Sequence, residues 1–221
     1  MLGGTAVSCM PPSWFDRVFT SARLAPYQEA AARGGTHAVD LYRWNLQVSE
    51  AFLPALSCLE ISMRNAMHEQ LTVRYRRADW WMSVPLDQHE VRAVQQAWDD
   101  RRRRKETDPG TDDIVAELSF AFWVSLLSRQ YDRRFWVPAL HRAFPGYRGP
   151  RSTLHDNLDA MRRFRNRVMH HEPVHHRHLA ADHAKIYRLL GFIEPEAVAW
   201  LREFDRVPEI LAKRPGHDNR G

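Results

Sequence analysis

Apolar residues in this chain recur at intervals of three and four, and nowhere do they alternate with period two for long. Leu56, Leu59, Met63, Met67 and Leu71 form the longest such series, the spacing that lines one face of an α-helix. Leu41, Trp44 and Val48 form a shorter series upstream. Thr36 is placed to cap that upstream helix and Pro54 to kink it or start the next. Before them, residues 13–33 read as one or two short helices interrupted at Pro26 and closed by Gly34-Gly35. Downstream, Pro85 and Asp87 open a helix toward Trp98, and Asp108-Pro109-Gly110 ends it. Asp112 or Asp113 is placed to cap one apolar helix over IVAELSFAFWVSLL, and a short amphipathic piece follows at RRFWVPALHRAF. Ser152 is placed to cap a helix to about His170, which ends before Pro173 because the residue preceding proline avoids helical angles. A helix over about 178–190 stopping at Gly191, and a last pair from Glu194-Pro195, complete an all-α fold.

Composition narrows this picture. With 44% hydrophobic residues and eight tryptophans in 221 residues, the chain can fill a core, so disorder throughout is excluded. The expected organisation is a loose tail over 1–12, one helical domain over 13–214 and a second tail over 215–221. No stretch reaches the roughly 18 uninterrupted apolar residues of a membrane span. MLGGTAVSCMPPSW lacks the basic and apolar regions of a secretion signal. Cys9 lies in a Gly/Ser/Pro-flanked stretch and Cys58 in an apolar helical run, so no disulfide framework is indicated. A cytoplasmic protein without membrane contact is expected. The net charge of +5 permits a polyanionic partner without demanding one. Arg101, Arg102, Arg103, Arg104 and Lys105, close to Trp98, read as a solvated helix end or as a patch that tracks RNA.

The sharpest candidate chemistry is Arg165-Asn166 followed by His170-His171 near a helix end. On an ideal helix Asn166 and His170 share a face at i,i+4, whereas Arg165 and His170 diverge by roughly 140°. For both to act on one phosphate, the last turn must unwind or a second copy of the site must contribute. Glu60, Arg64 and His68 fall at i, i+4 and i+8 with Asn65 beside Arg64, and Glu before Arg is the favourable order for an ion pair along a helix. His171-Glu172-Pro173-Val174-His175 spells the zinc-protease pattern H-E-x-x-H, but Pro173 would break the helix that pattern needs. The wider set His170, His171, His175, His176, His178 and His183 reads as a polar loop and helix surface, or as an adventitious metal site. Phe120, Phe122 and Trp123 read as core or dimer interface before they read as a base-stacking platform.

Three blocks carry a resemblance: LAPYQEAA with LYRWNLQVSEAFLPALSCLEISMRNAMHEQL, then ELSFAFWVSLLSRQY with FWVPALHRAFP, then RFRNRVMHHEPV. Together they resemble the Abi-like (abortive-infection) family, in that family's order, across most of residues 23–175. The family belongs to the HEPN superfamily, whose hallmark is Arg-x4–6-His. The resemblance implies a HEPN-like helical bundle with additional helices. It places Arg165 and His170 at the hallmark positions, Asn166 at the polar position after the arginine, and His171 at the second histidine of the family's pair. Glu60, Arg64 and Asn65 match its Leu-Glu and Arg-Asn elements. The implied activity is RNA cleavage without metal or cofactor, by a homodimer, in anti-phage defence. The implied silencing partner or trigger is an antitoxin protein, a small RNA or a phage product. HEPN domains also include inactive copies, so a non-catalytic RNA-binding module or a scaffold for another factor stands as the rival.

Overall fold

The computed structural model describes residues 14–104 and 108–216, apart from the side chain of Asp16. Lys105, the tail expected over 1–12 and all but the first two residues of the tail expected over 215–221 lie outside the described residues. The described chain is all-α: α1 (Phe15–Phe19), α2 (Ser21–Gly34), α3 (Ala38–Tyr75), α4 (Gln88–Arg104), α5 (Thr111–Glu117), α6 (Phe120–Ser125), α7 (Arg151–Met169), α8 (Leu179–Ile193), α9 (Pro195–Arg202) and α10 (Val207–Ala212). Single turns at Trp80–Met82, Arg129–Tyr131, Asp132–Trp136 and Leu140–Ala143 fill the connections. No described helix is long and apolar enough to cross a membrane.

The axis of the molecule is α3, which at 38 residues spans about 57 Å. It runs without interruption through Pro54, so the break expected there is absent, and its N-cap is His37 where Thr36 was expected. Pro54 and Glu50 are both exposed, so the carbonyl that loses its partner faces water and the helix can continue. Pro26 is carried inside α2 in the same way, with Ala22 also exposed. Along the inner face of α3, Val48, Phe52, Leu56, Leu59, Met63, Met67 and Leu71 are all buried. Helices α2, α7, α8 and α10 pack against it, and the core they enclose runs from Phe15 to Ile210.

The apolar run expected as one helix divides into α5 and α6. Leu118 is extended (φ −62°, ψ 126°), and the Ser119 hydroxyl accepts the Phe122 amide at 3.3 Å as the new N-cap. The physical reason is the all-round apolarity of the segment. Leu118, Phe120, Phe122, Trp123, Val124, Leu126 and Leu127 are all buried, and a straight helix would turn some of them to solvent. Phe120, Phe122 and Trp123 are therefore core. Asp113 contributes to the start of α5 from inside the helix, its carboxylate accepting the Gly110 amide at 3.0 Å. Helix α7 takes Pro150 as N-cap in place of Ser152, and α8 continues through Gly191 to Ile193. Gly146 abuts that point: a Cβ there would lie 3.1 Å from the Phe192 Cα, and its amide donates to the Phe192 carbonyl at 2.9 Å.

Candidate active site

Helix α7 runs against α3 in the opposite sense. Phe164 packs edge-on against Phe52 with ring centroids 4.8 Å apart, and Asn45 meets the segment that follows α7. Leu154, Leu158, Met161, Phe164 and Val168 fix the buried face of α7. That leaves Arg165 and Asn166 half-buried at its margin and His170 exposed at its end.

The arginine is held by a carboxylate: Arg165 Nε donates to Glu60 Oε2 at 3.1 Å across the α3–α7 seam, with about a third of the Arg165 side chain exposed and Glu60 19% exposed. Among the described residues the terminal nitrogens of this guanidinium bond to nothing further. The Asn166 amide and the His170 ring also have no hydrogen-bond partner there. Glu60 was expected to pair with Arg64; it pairs with Arg165 instead. Arg64 turns to Asn65 Oδ1 at 3.2 Å and to the Ala116 carbonyl at 3.3 Å, at the C-terminal end of α5 where a cation meets the helix dipole favourably. His68 is no part of a solvated face. Its Nδ1 accepts the Trp80 indole N–H at 3.2 Å, and burial pushes its pKa down against a weaker upward pull from Asp112.

The end of α7 does not unwind. His170 is the C-cap, its N–H bonded to the Asn166 carbonyl at 2.9 Å. His171 takes the left-handed conformation (φ 55°), its N–H reaching the Val168 carbonyl at 3.1 Å, and the Glu172 N–H reaches the Arg167 carbonyl at 2.8 Å. This is the Schellman stop, with histidine where glycine is commonest. Regular helix through Met169 keeps Arg165 and His170 on different sides of α7, about 7.5 Å apart along the axis. Of the two routes to a single site, unwinding is closed. The ring of His171 is exposed; its described contacts are backbone ones, including its carbonyl accepting Arg23 Nη2 at 2.6 Å.

The segment after α7 is clasped. Asn45, only 1% exposed, accepts the Val174 and His175 amides on its Oδ1 at 2.8 and 3.2 Å. Val174 is fully buried, and Arg177 grips Asp182 at 2.8 and 2.9 Å while lying over the Phe164 ring. Asn45 belongs to the Trp44-Asn45 pair of the first block that carries the family resemblance, but no role was assigned to it, although a signal existed: it is a polar residue on the apolar face shared by Leu41, Val48 and Phe52. His171 and His175 do not share a helix, so the H-E-x-x-H spelling has no metal-binding geometry. Among the described residues, no three His, Cys, Asp or Glu side chains are grouped to hold a metal ion.

The basic run at the end of α4 is engaged with acids. Arg101 pairs with Asp113, Arg103 with Asp100, and Arg104 with Glu117 at 2.9 Å. Arg102 stands 3.6 Å from Asp108 and lies over the Trp98 ring. Comparison of the chain with protein families, curated proteins and solved structures finds no match.

Proposed function

We propose that this chain is an Abi-like HEPN endoribonuclease, an abortive-infection or toxin effector that cuts RNA without metal by attack of the 2′-OH on its own phosphodiester. The observation that carries the reading is Arg165 held by Glu60 with its terminal nitrogens unbonded, followed along α7 by an unpartnered Asn166 and His170. A guanidinium so placed can grip a phosphate by two-pronged hydrogen bonding and stabilise the charge of the crowded transition state. An exposed imidazole can take the 2′-OH proton as the O2′–P bond forms, or protonate the leaving O5′ as the P–O5′ bond breaks. The products are a 2′,3′-cyclic phosphate and a 5′-OH end. Asn166, on the same face as His170, orients the ring or a phosphate oxygen.

Because α7 stays helical, the reading requires two chains, one supplying Arg165 and the other His170 to a common groove. The same geometry favours the rival, a non-catalytic RNA-binding module, if the chain acts alone. Cleavage of total cellular RNA in EDTA by the full chain, by Arg165→Ala and by His170→Ala tests the reading, with folding checked by circular dichroism. Activity is expected in the wild type alone. Mixing the two inactive variants after reversible dissociation should restore about a quarter of wild-type activity, since half the dimers then carry one intact composite site. Full-chain protein that binds RNA with unchanged affinity after His170→Ala and never cleaves would establish the binding module instead.

A further inference from the structure

A cavity of about 610 Å³ opens where α8, α9 and the start of α10 meet, and no residue of α7 borders it. Its volume falls within the roughly 300–1,000 Å³ of small-molecule clefts. Two helices present the same kind of pair to it. Ala184 and Arg188 lie one turn apart on α8, and Val198 and Arg202 lie one turn apart on α9. Ala184, Val198 and Pro208 are small enough to leave the space, and each helix contributes one guanidinium to its wall.

The rest of the wall is fixed by Asp205. Its side chain is 9% exposed. Its Oδ2 accepts from His183 Nε2 at 2.6 Å and from the Tyr187 hydroxyl at 2.8 Å, and its Oδ1 accepts the Val207 amide at 3.0 Å. These bonds tie α8 to the start of α10 and lock His183 and Tyr187 in place, but they leave the arginines unused. Arg202 lies over the Tyr187 ring, its Cζ 5.8 Å from the centroid. Neither Arg202 nor Arg188 forms an ion pair among the described residues. An unpaired surface arginine is ordinary by itself. Here two from different helices share one cavity, and the single acid in the wall, Asp205, is committed to three donors. Two guanidiniums against one carboxylate leave the wall positive whatever the state of His183.

The complement of such a wall is a small ligand rich in charged acceptor oxygens. A phosphomonoester offers three of them and close to two negative charges, enough for both arginines at once. A carboxylate has two oxygens, which one guanidinium already occupies. We infer that this cavity binds a small phosphomonoester, its phosphate gripped jointly by Arg188 and Arg202 beside the His183–Asp205 pair. The site lies off α7 and is independent of the roles given to Arg165 and His170.

Calorimetric titration of the full chain in low salt and EDTA tests this with adenosine monophosphate, inorganic phosphate, adenosine and succinate. Saturable binding of one adenosine monophosphate per chain is expected, with adenosine and succinate at least about tenfold weaker. Arg188→Gln and Arg202→Gln should each weaken it at least about tenfold without lowering the melting temperature, because both side chains are exposed. Arg92→Gln, on α4 and away from the cavity, should leave it unchanged. Inorganic phosphate binding as tightly as adenosine monophosphate identifies the free ion as the ligand, and tighter binding of the nucleotide identifies an ester. Absence of saturable binding by both phosphate probes overturns the inference. So does binding that survives either arginine substitution, or that succinate matches.

Discussion

The end of α4 and the end of α7 are both arginine-rich, yet they present different surfaces. At α4, four consecutive arginines each stand beside a carboxylate: Asp113, Asp108, Asp100 and Glu117. At α7, Arg162 and Arg163 share Asp159 and Arg167 stands 3.7 Å from Glu172, whereas Arg165 is held by Glu60 through Nε alone and the Asn166 amide and His170 imidazole that follow have no hydrogen-bond partner among the described residues. Counting positive residues ranks the first region above the second. At α4 each positive charge is matched by an acid beside it, which weakens the pull of the run on a polyanion; what distinguishes α7 is an amide and an imidazole following an anchored arginine, not the number of its donors.

Several measurements break or sharpen this contrast. Arg165→Ala and His170→Ala should each lower RNA cleavage by about 10²–10⁴-fold, and retention of more than a tenth of the activity in either would remove that residue from the chemistry. Asn45→Ala should cost about 2–4 kcal/mol by leaving two buried amides without an acceptor, seen as a fall in melting temperature of about 5–10 °C. An unchanged melting temperature would mean that the segment after α7 is held by other contacts.

Acidification should also loosen this part of the molecule. The folded pKa of His175 is near 4, below its ordinary 6.5, so the unfolded chain takes up a proton as pH falls through about 6.5 that the folded chain refuses until about 4. Stability is therefore fully present above pH 6.5 and is lost as pH falls toward 4, by up to about 3 kcal/mol. His68 and His176, also pushed down by burial, act in the same direction. Melting curves of wild type and His175→Gln should converge across this window; parallel curves would show that His175 contributes nothing to it.

Glu60→Gln should reduce cleavage by about tenfold with the fold intact, because Arg165 loses a charged anchor. A rate above wild type would mean that Glu60 restrains the arginine instead of aiming it. The smallest effect is expected at α4, where the double change Arg102→Glu and Arg103→Glu should alter RNA affinity less than about threefold at physiological salt. A large, salt-dependent loss there would restore the basic run as the principal RNA contact.

The contrast also shows what the residues alone could reveal. The helical class and most buried positions were legible because a 3.6-residue period records which face is wet, as in the series from Leu56 to Leu71. Breaks were less legible. Whether Pro54 interrupts a helix depends on whether the orphaned Glu50 carbonyl faces water, and the split at Leu118 depends on how many sides of the segment the core must cover. Arg165, Asn166 and His170 could be named from their spacing, but the Glu60–Arg165 partnership joins residues 105 positions apart. Intrahelical spacing pointed to Arg64 in its place. Asn45 could be matched to the resembled family's pattern but not given a role, because that role lies in accepting two amides from a segment 129 and 130 positions away.

The clasp on the segment after α7 bears on how such a protein could be kept quiet. A surface whose flanking chain is pinned by Asn45, by Val174 in the core and by the Arg177–Asp182 pair offers no local order–disorder transition to exploit. If the proposed activity holds, control of it falls to a molecule that covers the end of α7 or one that keeps two copies apart. An inhibitor of the first kind would find its binding surface already formed and lose little affinity to ordering it.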